Sequence, residues 1–141
     1  MTSIQYYLVD VFTDTKYGGN QLAVFIDFEN TVSDIEMLSI ARELGFSEIT
    51  FVKNNLNDEK FEVRIFTPEY EVPFAGHPSL GTAYVISKYL MERPKKQITL
   101  ALNYADIQIQ LSNLEALEES QFKMKQAQPI FYKTYSHNKI A

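Results

Sequence analysis

The sequence predicts an α+β fold in which a β-sheet curls around one central helix, and three observations predict it. Several segments are β-branched and aromatic, or alternate apolar with polar residues, which is the patterning of strands. Residues 33–45 carry the start and stop signals of an amphipathic helix. Residues 79–90, "SLGTAYVISKYL", leave almost no polar face, and a helix apolar all round must be enclosed by protein.

In chain order, "IQYYLVDVF" (4–12) reads as a first strand. "TDTKYGGN" supplies turn chemistry, with Gly18, Gly19 and Asn20 suited to positive φ. "QLAVFIDF" (21–28) comes next as a buried second strand, paired with the first in a hairpin. Ser33-Asp34-Ile35-Glu36 has the form of a capping box, with Ser33 as N-cap and Glu36 reaching back. Ile35, Leu38, Ala41 and Leu44 recur at helical spacing as a buried stripe, and Gly45 stands where a left-handed residue ends the helix. The spacing therefore predicts a helix over 34–44. "FSEITFV" (46–52) resumes strand character, and "NNLNDEK" is a polar turn.

"FEVRIFTP" (61–68) alternates, with Phe61, Val63 and Ile65 on one face. Pro68 ends that strand, and Pro73 leaves room after it for only a short extended piece. In the enclosed helix Ser79, Gly81, Thr82 and Ala83 are small enough to let a sheet approach the axis closely. "QITLALN" (97–103) and "DIQIQL" (106–111) read as strands joined by a tight turn at Tyr104-Ala105. "NLEALEES" (113–120) is a short helix or a polar loop, and "FKMKQAQPIF" (122–131) a last strand running into proline. Residues 1–131 form a single domain in this reading, and 132–141 a loosely ordered tail.

Composition narrows the function. A chain of 141 residues can bury a real core, and 45% hydrophobic with 22% charged residues is an ordinary globular balance. A net charge of −5 argues against nucleic-acid partners, and no stretch has the length of a membrane span. "MTSIQYYLVDVF" lacks the basic start and cleavage site of a signal peptide, so a cytoplasmic protein is expected. With no cysteine there is no thiolate nucleophile, and two histidines sixty positions apart make a poor metal site.

Three residues stand out. His77, in "PFAGHPSLGTA", precedes a proline suited to the first helical position, which would make His77 the N-cap and leave the amides of Ser79 and Leu80 at the helix mouth. Amides there, with the positive end of the helix dipole, favour an anion such as a substrate carboxylate, and favour neutral imidazole. The alternative is a plain capping histidine. Glu48 is flanked by Phe46, Ile49 and Phe51, and apolar surroundings disfavour an ionised carboxyl, which suits a general acid/base. A solvent-facing glutamate on an edge strand is the competing reading. Asn20, after two glycines, would hydrogen-bond a polar substrate group or simply make a turn.

Four stretches together, "VDVFTDTKYGGNQLAVF", "ARELGFSEITFV", "RIFTPEYEVPFAGHPSLGTAYVI" and "FKMKQAQPIF", resemble the N-terminal half of the phenazine-biosynthesis isomerase family (PhzF-like), over about residues 6–131. The resemblance implies the diaminopimelate-epimerase-like fold, a mixed-sheet barrel wrapped around a central helix. It implies two such halves with the active site in the cleft between them. It also implies metal-free, cofactor-free proton transfer on a small carboxylated substrate. The acid/base glutamate of a "SET"-like segment falls on Glu48 of Ser47-Glu48-Ile49-Thr50, and the histidine of the GHP motif on His77. Gly76, Ser79 and Leu80 fall at the substrate-facing helix end, with Asn20 nearby; Gln21 stands where the family has proline.

The family's second half has no counterpart in residues 100–141. The expectation is therefore an isomerase or epimerase whose cleft is completed by a second chain, either a homodimer partner or a separately encoded second half. The alternatives are a non-catalytic remnant and a small-carboxylate-binding module.

Overall fold

In a computed structural model the chain is described over residues 3–11, 19–103, 105–117 and 120–125. Its strands are β1 (Gln5–Val11), β2 (Asn20–Ile26), β3 (Ile49–Asn57), β4 (Lys60–Phe66), β5 (Glu71–Val72), β6 (Gln97–Ala101), β7 (Asp106–Leu111) and β8 (Phe122–Lys125). Helix α1 (Asp34–Leu44) lies between β2 and β3. Helix α2 (Gly76–Val85) lies between β5 and β6 and runs on into a π-helical turn, Ile86–Leu90.

The strands form one mixed sheet in the order β1-β2-β3-β4-β6-β7-β8, with β5 paired to β4. β1 and β2 are antiparallel, as a hairpin requires, with Val11 opposite Asn20. β2 and β3 are parallel, linked through α1, and β4 and β6 are parallel, linked through α2. Parallel neighbours need such a crossover, and each helix covers one face of the sheet. Helix α2 packs on β1 and β2 at one end of the strand order and on β8 at the other. Strands from both ends of the order reach one helix only because the sheet curls into a half-barrel around it.

Side-chain parity divides the core. Leu22 and Val24 point into the half-barrel with Val52, Phe61, Val63, Ile65 and Ala83, whereas Ala23 and Phe25 point outward with Ile49, Phe51 and Phe66 beneath α1. Gly81 marks the closest approach of α2 to the sheet. A Cβ there would stand 2.5 Å from Leu22 Cδ2 and 2.8 Å from Val11 Cγ2, so only glycine fits.

Helix α1 begins and ends as its sequence dictates. Ser33 accepts from the Glu36 amide, the Glu36 carboxylate accepts from the Ser33 amide, and Gly45 closes the helix at φ 70°. The buried face differs from the expected stripe. Met37 and Ala41 are buried, with Leu38 and Ile40 packed beside them, whereas Ile35 is 80% exposed and Leu44 is exposed. Strict i+3 spacing drifts about 60° around a helix at each step, so Ile35 and Leu44 cannot share one face, whereas Met37 and Ala41, four apart, do.

Other boundaries shift for local reasons. Gly19 takes positive φ, but Asn20 is already extended as the first residue of β2. The polar run 54–60 belongs mostly to the β3–β4 hairpin, which projects beyond the core with Asn54–Asn57 exposed, so its strands carry no apolar pattern. Residues 113–116 and 120 are irregular and Leu117 lies in a 3₁₀ turn; Asn113 Oδ1 accepts from the amides of Glu115 and Ala116, and Leu114 and Leu117 pack against the inner core. Tyr104 and the predicted tail lie outside the described residues, as does the last strand beyond Lys125.

Candidate active site

Glu48 and His77, 29 residues apart, meet through a hydrogen bond of 2.8 Å between Glu48 Oε2 and His77 Nδ1. Glu48 sits in the short link between Gly45, which ends α1, and Ile49, which opens β3. His77 sits in the first turn of α2. Toward an ionised carboxylate, which only accepts, Nδ1 is the donor of this bond. The Ser47 hydroxyl donates to the same Oε2 at 3.2 Å. The Glu48 side chain is 24% exposed and that of His77 9%, with His77 Nε2 buried, so the pair is more open at Glu48 than at His77.

The helix mouth corrects the expected cap. Ala75, extended at φ −156° and ψ 139°, is the N-cap, which makes Gly76, His77 and Pro78 the first three helical residues. Pro78 is tolerated as the third because all amides of a first turn lie outside the helical ladder. That ladder begins at Ser79, whose amide donates to the Ala75 carbonyl at 3.4 Å. Ser79 is fully buried, its hydroxyl donating to the same carbonyl at 2.6 Å, and Leu80 packs partly buried on the inner core. The amides of Ser79 and Leu80 are therefore spent inside the helix, and those of Gly76 and His77 lie at its mouth. Asn20 is exposed at the start of β2, at the same end of the sheet: β2 and β3 run parallel with Ala23 beside Ile49.

One further contact fixes this arrangement. Thr50 on β3 and Thr82 on α2 share a hydrogen bond of 2.8 Å, with both residues fully buried. Thr50 lies two residues beyond Glu48 and Thr82 five beyond His77, so the bond pins strand to helix beside the pair. Sequence reasoning named both threonines and Ser47 but gave none of them a bonding role in the site. The available signal was a hydroxyl inside the apolar run "ITFV", at the position that shares a strand face with Glu48. A cavity of about 310 Å³ lined by Asn55, Asp58, Phe61, Leu90 and Met91 lies at the other end of α2 and includes neither Glu48 nor His77.

Comparison with known proteins bears on the fold and the family. A family model described as phenazine biosynthesis-like protein matches residues 9–141. An uncharacterized isomerase of Mesorhizobium japonicum is 36% identical over 125 residues, 88% of this chain and 41% of its own. An uncharacterized isomerase of Pasteurella multocida is 44% identical over 91 residues, 64% of this chain and 31% of its own. The trans-2,3-dihydro-3-hydroxyanthranilate isomerase of Pseudomonas aeruginosa is 44% identical over 82 residues, 58% of this chain and 29% of its own. Among solved structures, a PhzF-family phenazine biosynthesis protein of Bacillus anthracis superposes with a TM-score of 0.75 at 29% identity, covering 88% of this chain and 40% of that one. A predicted epimerase of Pseudomonas aeruginosa gives 0.71 at 34% identity, covering 79% and 39%. The chain thus spans less than half the length of these relatives. No helix among its described residues is long and apolar enough to cross a membrane.

Proposed function

The chain belongs to the phenazine biosynthesis-like (PhzC-PhzF) family, and from that premise we propose that it supplies one half of an isomerase cleft in which Glu48 is the general acid/base. The observation that carries the reading is the Glu48–His77 hydrogen bond of 2.8 Å at a helix mouth. Glu48 takes a proton from a substrate carbon and returns it at another position, while His77 holds the carboxyl in place. A positioned acid/base contributes about 10²–10⁴-fold to such a step. The proton transfer itself runs through the carboxyl, without a cofactor.

The substrate is a small carboxylate. The amides of Gly76 and His77, with the positive end of α2, favour its negative charge, and Asn20, exposed at the same end of the sheet, is the candidate to contact its polar groups. Because the chain spans 28–41% of its curated relatives, groups facing Glu48 across the cleft come from residues beyond it. A second copy of this chain is the arrangement to test first, with a separately encoded half as the other source.

The test uses trans-2,3-dihydro-3-hydroxyanthranilate, named for the Pseudomonas relative, as probe in D2O. Isomerised product formed by the wild-type chain, whether or not it carries deuterium, at a rate that falls about 10²–10⁴-fold in Glu48→Gln supports the reading. Saturable binding of the probe with neither isomerised product nor incorporation would replace it with a carboxylate-binding module. Isomerisation that Glu48→Gln leaves intact would overturn it.

A further inference from the structure

The two oxygens of Glu48 are not equivalent. His77 Nδ1 and Ser47 Oγ both bond Oε2, at 2.8 and 3.2 Å, and Oε1 accepts from no described residue. The side chain keeps part of its surface open, whereas the far nitrogen of His77, Nε2, is buried. A proton carrier must reach the carbon it serves. Oε1 lies on a carboxyl with open surface, and Nε2 does not reach the mouth.

We infer that Oε1 of Glu48 is the atom that exchanges the proton, and that His77 and Ser47 are positioning residues that clamp Oε2. This rests on the reading of Glu48 as the acid/base. In the forward step the Oε1–H bond forms as a substrate C–H bond breaks, and the electron pair passes into the adjoining unsaturation of the substrate. The same O–H then breaks as a new C–H bond forms elsewhere, so Glu48 ends as it began. Oε2 keeps both of its hydrogen bonds throughout. Two donors on one oxygen select one carboxyl rotamer, which leaves Oε1 aimed into the cleft before substrate arrives.

The clamp makes a discriminating prediction. The amide nitrogen of asparagine occupies roughly the place of His Nδ1, and it cannot carry a proton as imidazole does. His77→Asn therefore keeps the clamp and turns over within about 10-fold of wild type. His77→Phe loses about 10–100-fold in kcat, the fold-change of a hydrogen bond to a charged group. Ser47→Ala loses about 2–10-fold in kcat with KM unchanged, and Ser47→Thr restores it.

Crystal structures of the same variants give a readout independent of turnover. The Glu48 carboxyl keeps its place in His77→Asn and swings away in the double variant Ser47→Ala/His77→Phe. A carboxyl that stays put in the double variant would overturn the clamp, as would a His77→Asn chain as slow as His77→Phe. If Glu48→Gln itself is fully active, the acid/base assignment fails first, whatever Ser47 does. If Glu48→Gln is inactive while the clamp variants turn over normally, this inference fails alone.

Discussion

Replacing Thr50 with valine tests how the site is held, because valine keeps the side chain's shape and removes only its hydroxyl. The fully buried Thr82 hydroxyl would lose its partner at 2.8 Å. Stranding a buried polar group costs about 1–3 kcal/mol. For a domain of this size each kcal/mol lowers Tm by roughly 3 °C, so Thr50→Val should melt about 3–9 °C below wild type. Thr82→Val should behave alike. The double variant strands nothing, since two valines replace a hydroxyl pair with apolar contact, and should be more stable than either single one. Urea unfolding followed by circular dichroism would then give a coupling energy of about 1 kcal/mol or more between the two sites. Singles within about 0.5 kcal/mol of wild type, or losses that simply add in the double, would refute the claim that this bond pins β3 to α2.

Gly81→Ala should destabilise by about 1–3 kcal/mol in urea titration, because the added Cβ meets Leu22 and Val11 and overpacking outweighs alanine's better helix propensity. Met37→Ala should cost about 2–5 kcal/mol while Ile35→Ser stays within about 0.5, which checks the corrected face of α1 by denaturant midpoints. Asp27, buried against Lys53 at 2.5 Å, should cost about 3–5 kcal/mol when changed to asparagine, since a buried ammonium is left unpaired. Burial pushes the Asp27 carboxyl up, but the Lys53 ammonium, the Thr31 amide and hydroxyl and the Val32 amide together hold it below its ordinary value of 3.8. Its stabilisation is therefore present above about pH 4 and lost as pH falls through the lower folded-state value, so acid unfolding of wild type should lose a contribution that Asp27→Asn never had.

The features legible in the sequence arise from short-range chemistry. The capping box and Gly45 bound α1 because each signal acts within three or four residues. The enclosed helix was legible because no polar face meant no solvent face, and Gly81 then explained how closely the sheet could come. Alternation through Phe61, Val63 and Ile65 gave the inner face of β4 directly. Tertiary contacts decided the rest. The buried side of α1 depended on which aromatic side chains lay beneath it, Phe25, Phe51 and Phe66, and these come from three separate strands. The start of α2 moved to Gly76 because an extended Ala75 could cap it without a side chain, and no local pattern announces that. Glu48 and His77 were separable as candidates, but their hydrogen bond depends on a strand and a helix meeting in space. The threonine pair that sets that meeting spans 32 positions of sequence.

The proposal at the centre of this account is that Glu48 and His77 form one half of a cleft whose other half lies outside these 141 residues. The direct measurement is the solution mass at which isomerase activity on the probe elutes, by light scattering after size exclusion. The account predicts activity at twice the chain mass of 16.3 kDa, or only after a second half is added, and its loss in Glu48→Gln. Glu48-dependent isomerisation eluting at 16.3 kDa would contradict it.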